Sequence, residues 1–135
     1  KIEKLNYLRS PRHRRFVASL PCVNCGREGH TQAAHSNFGK GMGMKSCDSQ
    51  LMALCVGCHR EHDQGGIYAN KFERWQKEVV LLQKNKSALQ NLGLWMALVN
   101  EAYKKSFPRL MKAAFSNVES ATETAGMKKA ACKAA

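Results

Sequence analysis

A length of 135 residues suits one domain with enough chain left for a helical arm or tail. An apolar share of 44% allows a packed core and argues against wholesale disorder, and no apolar run approaches the roughly 18 residues that span a bilayer. Lys and Arg outnumber Asp and Glu 22 to 10, giving a net charge of +12 and a pI near 9.7, so a polyanionic partner is the first expectation. The excess is spread along the chain, with ten Lys/Arg against five acids in residues 1–68 and twelve against five in 69–135.

In chain order, Ser10-Pro11 predicts a helix start, with Ser10 as N-cap and Pro11 in the first helical position, leading into RHRRFVASL and ending at Leu20-Pro21. Arg12, His13, Arg14 and Arg15 make its first turns strongly basic, which reads either as a solvated face or as a phosphate-contacting one. Residues 21–68 are rich in Gly, Cys and His. PCVNCG reads as a knuckle, TQAAHS as a short strand, NFGKGMGMKS as a Gly-rich loop, and QLMAL as a second apolar run leading into CVGCHREHD, closed by the turn DQGG. Such a stretch buries little apolar surface, so a metal clip is expected to hold it.

From Tyr68 the pattern is helical. Phe72, Trp75, Val79 and Leu82 form one apolar stripe, and Ser87 is expected to cap a second helix carrying Leu89, Leu92, Met96, Val99 and Tyr103. Leu94, Trp95 and Leu98 widen that face, which must be covered by the metal-binding half, a protein partner or a second copy of the chain. Intramolecular packing is the expected cover. Pro108 is expected to open a third short helix, and residues 119–135 are low-complexity and read as a flexible tail.

Four of the six cysteines form two C-x2-C pairs, Cys22/Cys25 and Cys55/Cys58, with 29 residues between them. This is metal-site spacing, unlike a disulfide scaffold. Four thiolates around one zinc leave no open position, so the site would fold the chain and do no chemistry. No N-terminal stretch reads as a signal peptide, and a reducing cytoplasm is the expected compartment. Cys47 and Cys132 stand outside the pairs and read as ordinary thiols. Between and after the pairs lie His35, His59, His62 and Asp63. If the second knuckle opens a helix, His59 and Asp63 sit at i, i+4 on one face and can reach one divalent cation, with His62 roughly 60–100° away as the weaker ligand.

This order of residues resembles the HNH endonucleases, the ββα-metal (His-Me finger) family: a C-x2-C pair, a strand ending in Ala34-His35, a polar middle position, then Leu54-Cys55-x2-Cys58-His59. Ala34-His35-Ser36-Asn37, the Gly-rich loop at 39–43, Lys45, Asp48 and Cys58-His59-x3-Asp63 are similar, more narrowly, to small phage and prophage nucleases of the YbcO and Ref recombination-nuclease kind. The resemblance covers about residues 10–66. It implies that His35 takes a proton from an attacking water and that His59 is a ligand of a catalytic Mg²⁺ or Mn²⁺, with Asp63 or His62 beside it. The middle Asn of the family, which orients the catalytic histidine, is absent. Gln50 stands at its place relative to Leu51 and Cys55, whereas Asp48 fits the phage subgroup, and both remain candidates. Ala34 stands where many members carry a ligating Asp or His, leaving the ion to His59, Asp63, phosphate and water.

The resulting expectation is an α+β chain: a zinc-stapled ββα-metal core at 10–67 with an N-terminal helix, then a helical extension at 68–118 and a tail at 119–135. Its expected activity is metal-dependent hydrolysis of DNA with low sequence specificity, in phage recombination or replication, with Arg12, Arg14, Arg15, Lys40, Lys45 and Arg60 on flanking phosphates. The alternatives are a zinc-knuckle nucleic-acid-binding protein without catalysis, and a scaffold that recruits a partner through residues 89–103.

Overall fold

A computed structural model describes residues 8–38 and 47–118. The chain is α+β, in the order α1 (Pro11–Ala18), β1 (Thr31–His35), β2 (Leu51–Cys55), α2 (Val56–Gln64), α3 (Lys71–Asn91) and α4 (Ala97–Ala114). Most of the Gly-rich loop, with Lys40 and Lys45, lies outside the described residues, as do Cys132 and the 119–135 segment. Among the described residues no helix is long and apolar enough to cross a membrane.

The two strands form an antiparallel pair in which Thr31 faces Cys55, Ala33 faces Ala53 and His35 faces Leu51. All five residues of β2 are buried, which explains why QLMAL shows no polar alternation. Met52 and Leu54 pack against Val79, Leu81, Leu82, Tyr103 and Leu110 from α3 and α4, while Leu51 and Ala53 pack against Val17 and Leu20 near α1 and Leu89 of α3. The outer edge of β2 is closed as well: Val23 N–H donates to the Ala53 carbonyl at 2.8 Å, and Ala53 N–H donates to Oδ1 of buried Asn85 at 3.1 Å. An Asn inside an apolar helix stripe is there to satisfy that edge.

α1 begins as its sequence dictates. Pro11 opens the helix and Ser10 Oγ accepts from His13 N–H at 3.1 Å. The basic first turn is corrected in one respect: Arg12, Arg14 and Arg15 are exposed, but His13 is fully buried, edge-on to Trp95 with ring centroids 5.8 Å apart. Neither of its nitrogens has a hydrogen-bond partner among the described residues. Burial lowers its pKa below the ordinary 6.5, and the negative Asp48 offsets this only in part. The unfolded chain therefore gains a proton near pH 6.5 that the folded chain refuses, so stability is full above that pH and falls as the pH drops below it. His13→Phe should flatten this acid limb and stabilise the fold by about 1 kcal/mol, by removing an unpaired polar ring. Thermal melts of both proteins between pH 5 and 8 read the difference directly.

The helical half departs from two expectations. α3 runs without a break through Ser87 for 21 residues, because a serine inside a well-packed helix stops nothing. Its start is a reciprocal cap, Asn70 accepting from Glu73 N–H and Glu73 accepting from Ala69 N–H, and its stop is Gly93 in the left-handed region at φ 73°. Pro108 lies inside α4 and does not open a third helix. It is tolerated because Lys104, whose carbonyl loses its helical donor there, is on the exposed side.

Candidate metal centre and the paired histidines

The first knuckle is a tight turn. Gly26 N–H donates to the Cys22 carbonyl at 2.8 Å, with Gly26 at φ 86°, and Cys25 N–H points at the Cys22 sulfur at 3.4 Å. In the second, Cys55 ends β2 and caps α2, placing Cys55 and Cys58 at the positive end of that helix. The register of the hairpin brings the pairs together, and all four sulfurs lie within 4.8 Å of one another, with Cys25 and Cys55 3.7 Å apart. Bonds of about 2.3 Å to a tetrahedral ion put sulfurs about 3.8 Å apart, so the four cysteines can hold a metal such as zinc.

The bare cluster splits its thiols electrostatically. Burial works to raise the Cys22 thiol, but backbone donors at Cys55, Cys25 and Asn24 outweigh it and bring it down to about 6. Burial pushes Cys58 up to about 12, even though Asn24 Nδ2 donates to its sulfur at 3.2 Å. Four thiolates at this spacing repel one another without a cation to share them.

His35 closes β1. Its Nε2 lies 2.9 Å from Oδ1 of Asp48, a carboxylate that is 1% exposed and also accepts the Ser10 N–H at 2.8 Å. Arg9 Nη1 is 3.7 Å from the same carboxylate. The imidazole itself remains 23% exposed, open to a reactant while held from behind. Of the two candidates for the orienting position, it is Asp48 that meets His35. Gln50 turns the other way, its Nε2 donating to the Ser106 carbonyl of α4 at 3.2 Å, because the turn at Asp48–Gln50 directs these side chains to opposite elements.

On α2, His59 and Asp63 face the same side at i, i+4, with Nε2 and Oδ2 3.1 Å apart. Gln32 Oε1 of β1 accepts from His59 Nδ1–H at 2.7 Å, which holds the ring with Nε2 facing Asp63. That separation is an ordinary His–Asp hydrogen-bond length, and it also equals the roughly 3 Å between neighbouring ligands of an octahedral ion with bonds of about 2.1 Å, so the two atoms could reach one divalent cation. No third His, Cys, Asp or Glu side chain joins the pair among the described residues. Asn37 Nδ2 donates to Asp63 Oδ1 at 3.4 Å, and Arg74 reaches the Asp63 carbonyl at 3.4 Å. Arg60 is exposed on the same helix.

His62 as a ligand beside His59 is corrected. It is 3% exposed and turned inward, with Nδ1 2.7 Å from Tyr68 Oη and Nε2 2.7 Å from Oε2 of Glu78. Lying about 60° round the helix from His59 and about 100° from Asp63 is enough to take it from the surface into the core. Burial, with the negative charge of Glu78 next in weight, pushes the Tyr68 hydroxyl up to about 12. Because the Glu78 carboxylate can only accept, His62 donates to it through Nε2–H, and Nδ1 of the neutral imidazole then accepts from the Tyr68 hydroxyl. Glu78 itself is fully buried, and it also accepts from Ser36 Oγ and Asn37 N–H at 2.7 Å each. This carboxylate was not anticipated from the sequence, although a charged residue standing between Trp75, Val79 and Leu82 on an apolar stripe is the signal that marks it.

His62 and Tyr68, with Asn24, Leu54, Cys58 and Ile67, help to line a cavity of about 190 Å³. Comparison of the chain with protein-family models, with curated proteins and with solved structures returned no match.

Proposed function

We propose that the chain is a zinc-stapled endonuclease of the ββα-metal (HNH) kind that hydrolyses DNA phosphodiester bonds with a second, catalytic Mg²⁺ or Mn²⁺. The observation that carries this reading is the His35–Asp48 pair, a partly exposed imidazole held by a buried carboxylate at the end of the strand that also supplies Gln32 to His59. In its support, the order β1, β2, α2 around a four-cysteine cluster is the order the resemblance implies.

With Nε2–H donating to Asp48, His35 presents Nδ1 as a bare base able to take the proton of a water as that water attacks phosphorus. His59 Nε2 and Asp63 would hold the divalent ion, which when bound neutralises charge growing on the phosphate and leaving oxygen. Exposed Arg12, Arg14, Arg15 and Arg60 would hold flanking phosphates without reading sequence. The protein acts in this reading in phage recombination or replication, inside a bacterial cytoplasm.

The test is incubation of the full chain, zinc-loaded, with supercoiled plasmid and Mg²⁺ or Mn²⁺. Nicked or linear product should require the divalent ion and should drop by about 10²- to 10⁴-fold in His35→Ala. A folded protein that binds DNA in a salt-sensitive manner yet cuts nothing would replace the nuclease with a binding module.

A further inference from the structure

Glu78 belongs to α3, outside the stretch that resembles a nuclease, yet its carboxylate touches both the chain just after β1 and helix α2. Its Oε1 accepts from Ser36 Oγ, and its Oε2 accepts from Asn37 N–H and from His62 Nε2–H, each at 2.7 Å. Ser36 and Asn37 directly follow His35, and His62 lies one residue from Asp63 and three from His59. Burying a carboxylate is costly unless donors surround it, and an apolar residue in this stripe would pack without that cost. Three charge-assisted hydrogen bonds from two separate elements therefore do something that packing alone does not. They fix the distance between the end of β1 and the face of α2. Asn37, held through its backbone, then reaches Asp63 with its side chain.

We propose that Glu78 is a positioning residue: it clamps the His35 strand end to the helix carrying His59 and Asp63, and so sets the geometry in which those two residues bind a divalent cation. Tyr68, donating to the far nitrogen of His62, holds the clamp in one tautomer. The inference rests on the proposed cation site at His59 and Asp63.

The test is Mn²⁺ titration of the zinc-loaded full chain, followed by the electron paramagnetic resonance of free Mn²⁺. Glu78→Leu keeps the side-chain bulk but offers no acceptor, and should weaken Mn²⁺ binding roughly 10- to 100-fold. Glu78→Gln should recover most of that affinity, because its oxygen can serve Asn37 and His62 while the Ser36 hydroxyl rotates to accept from the new amide. Leu82→Ala, a packing loss in the same helix, should leave the affinity unchanged in the folded protein. Wild-type affinity in folded Glu78→Leu overturns the proposal, and so does a Gln variant as weak as the Leu variant. Should Glu78→Leu not fold, Ser36→Ala removes one donor without touching α3. Its loss should lie at the low end of the same range, and no loss overturns the proposal. If the parent protein binds no Mn²⁺, or His59→Ala binds it equally well, the cation site itself is wrong, and that result is visible before any Glu78 variant is made.

Discussion

Cys55→Ser is expected to abolish the cooperative fold. Structural zinc contributes on the order of 10 kcal/mol where it holds small motifs together, and whole domains are stable by only about 5–15 kcal/mol. Cys55 is the worst place to lose a ligand, since it is buried at the junction where β2 ends and α2 begins. Residues 21–30, by contrast with the helical half, bury almost nothing apolar beyond Cys22 itself. The check is zinc content together with a thermal melt followed by circular dichroism. Cys55→Ser should show neither bound zinc nor a transition, and chelation of the parent protein should reproduce it. Cys25→Ser should be milder, because Cys25 is exposed and a water can complete a site of three thiolates. Equal, intact melting of all three samples would show that the apolar core alone carries the fold.

The second large effect concerns Asp48. In the proposed nuclease, Asp48→Leu should lower kcat for plasmid nicking by about 10²- to 10⁴-fold with KM little changed. A carboxylate can only accept, so it draws the His35 proton to Nε2 and leaves Nδ1 bare. Leucine offers no acceptor, so the proton is free to sit on Nδ1, where it blocks the base. Since Asp48 also accepts the Ser10 N–H, some loss of stability accompanies the change, and a melt of the same sample separates the two effects. Gln50→Ala should leave kcat within a factor of about three, because its side chain serves Ser106 of α4. Equal losses at the two positions would sink the pairing of His35 with Asp48.

These two residues show where the sequence stops being informative. The knuckles, the capped start of α1, the short strands and the His59–Asp63 spacing were all legible, because each is set by neighbours within a few positions. The choice between Asp48 and Gln50 was not, since it depends on whether a side chain meets β1 or α4. Likewise nothing local distinguishes the buried His13 from the exposed arginines around it; the docking of Trp95 decides that. Ser87 and Pro108 misled for a related reason. Both carry local stop or start signals, and both sit where tertiary packing holds a helix together regardless.

Because β2 has helices on both faces and Cys55 at its end, a metal held by the four cysteines would make metal affinity and helix packing thermodynamically one quantity. An ion that finds its ligands assembled only in the folded chain must first draw the chain out of its unfolded population. Any substitution that loosens α3 against the sheet, even at Leu89, far along the chain from the sulfurs, will therefore register as weaker zinc binding, about tenfold for each 1.4 kcal/mol once the metal-free chain is mostly unfolded. Zinc titration would thus serve as a gauge of how well distant helices are seated, and stripping a bound metal from the cysteines would loosen the helical half together with the knuckles.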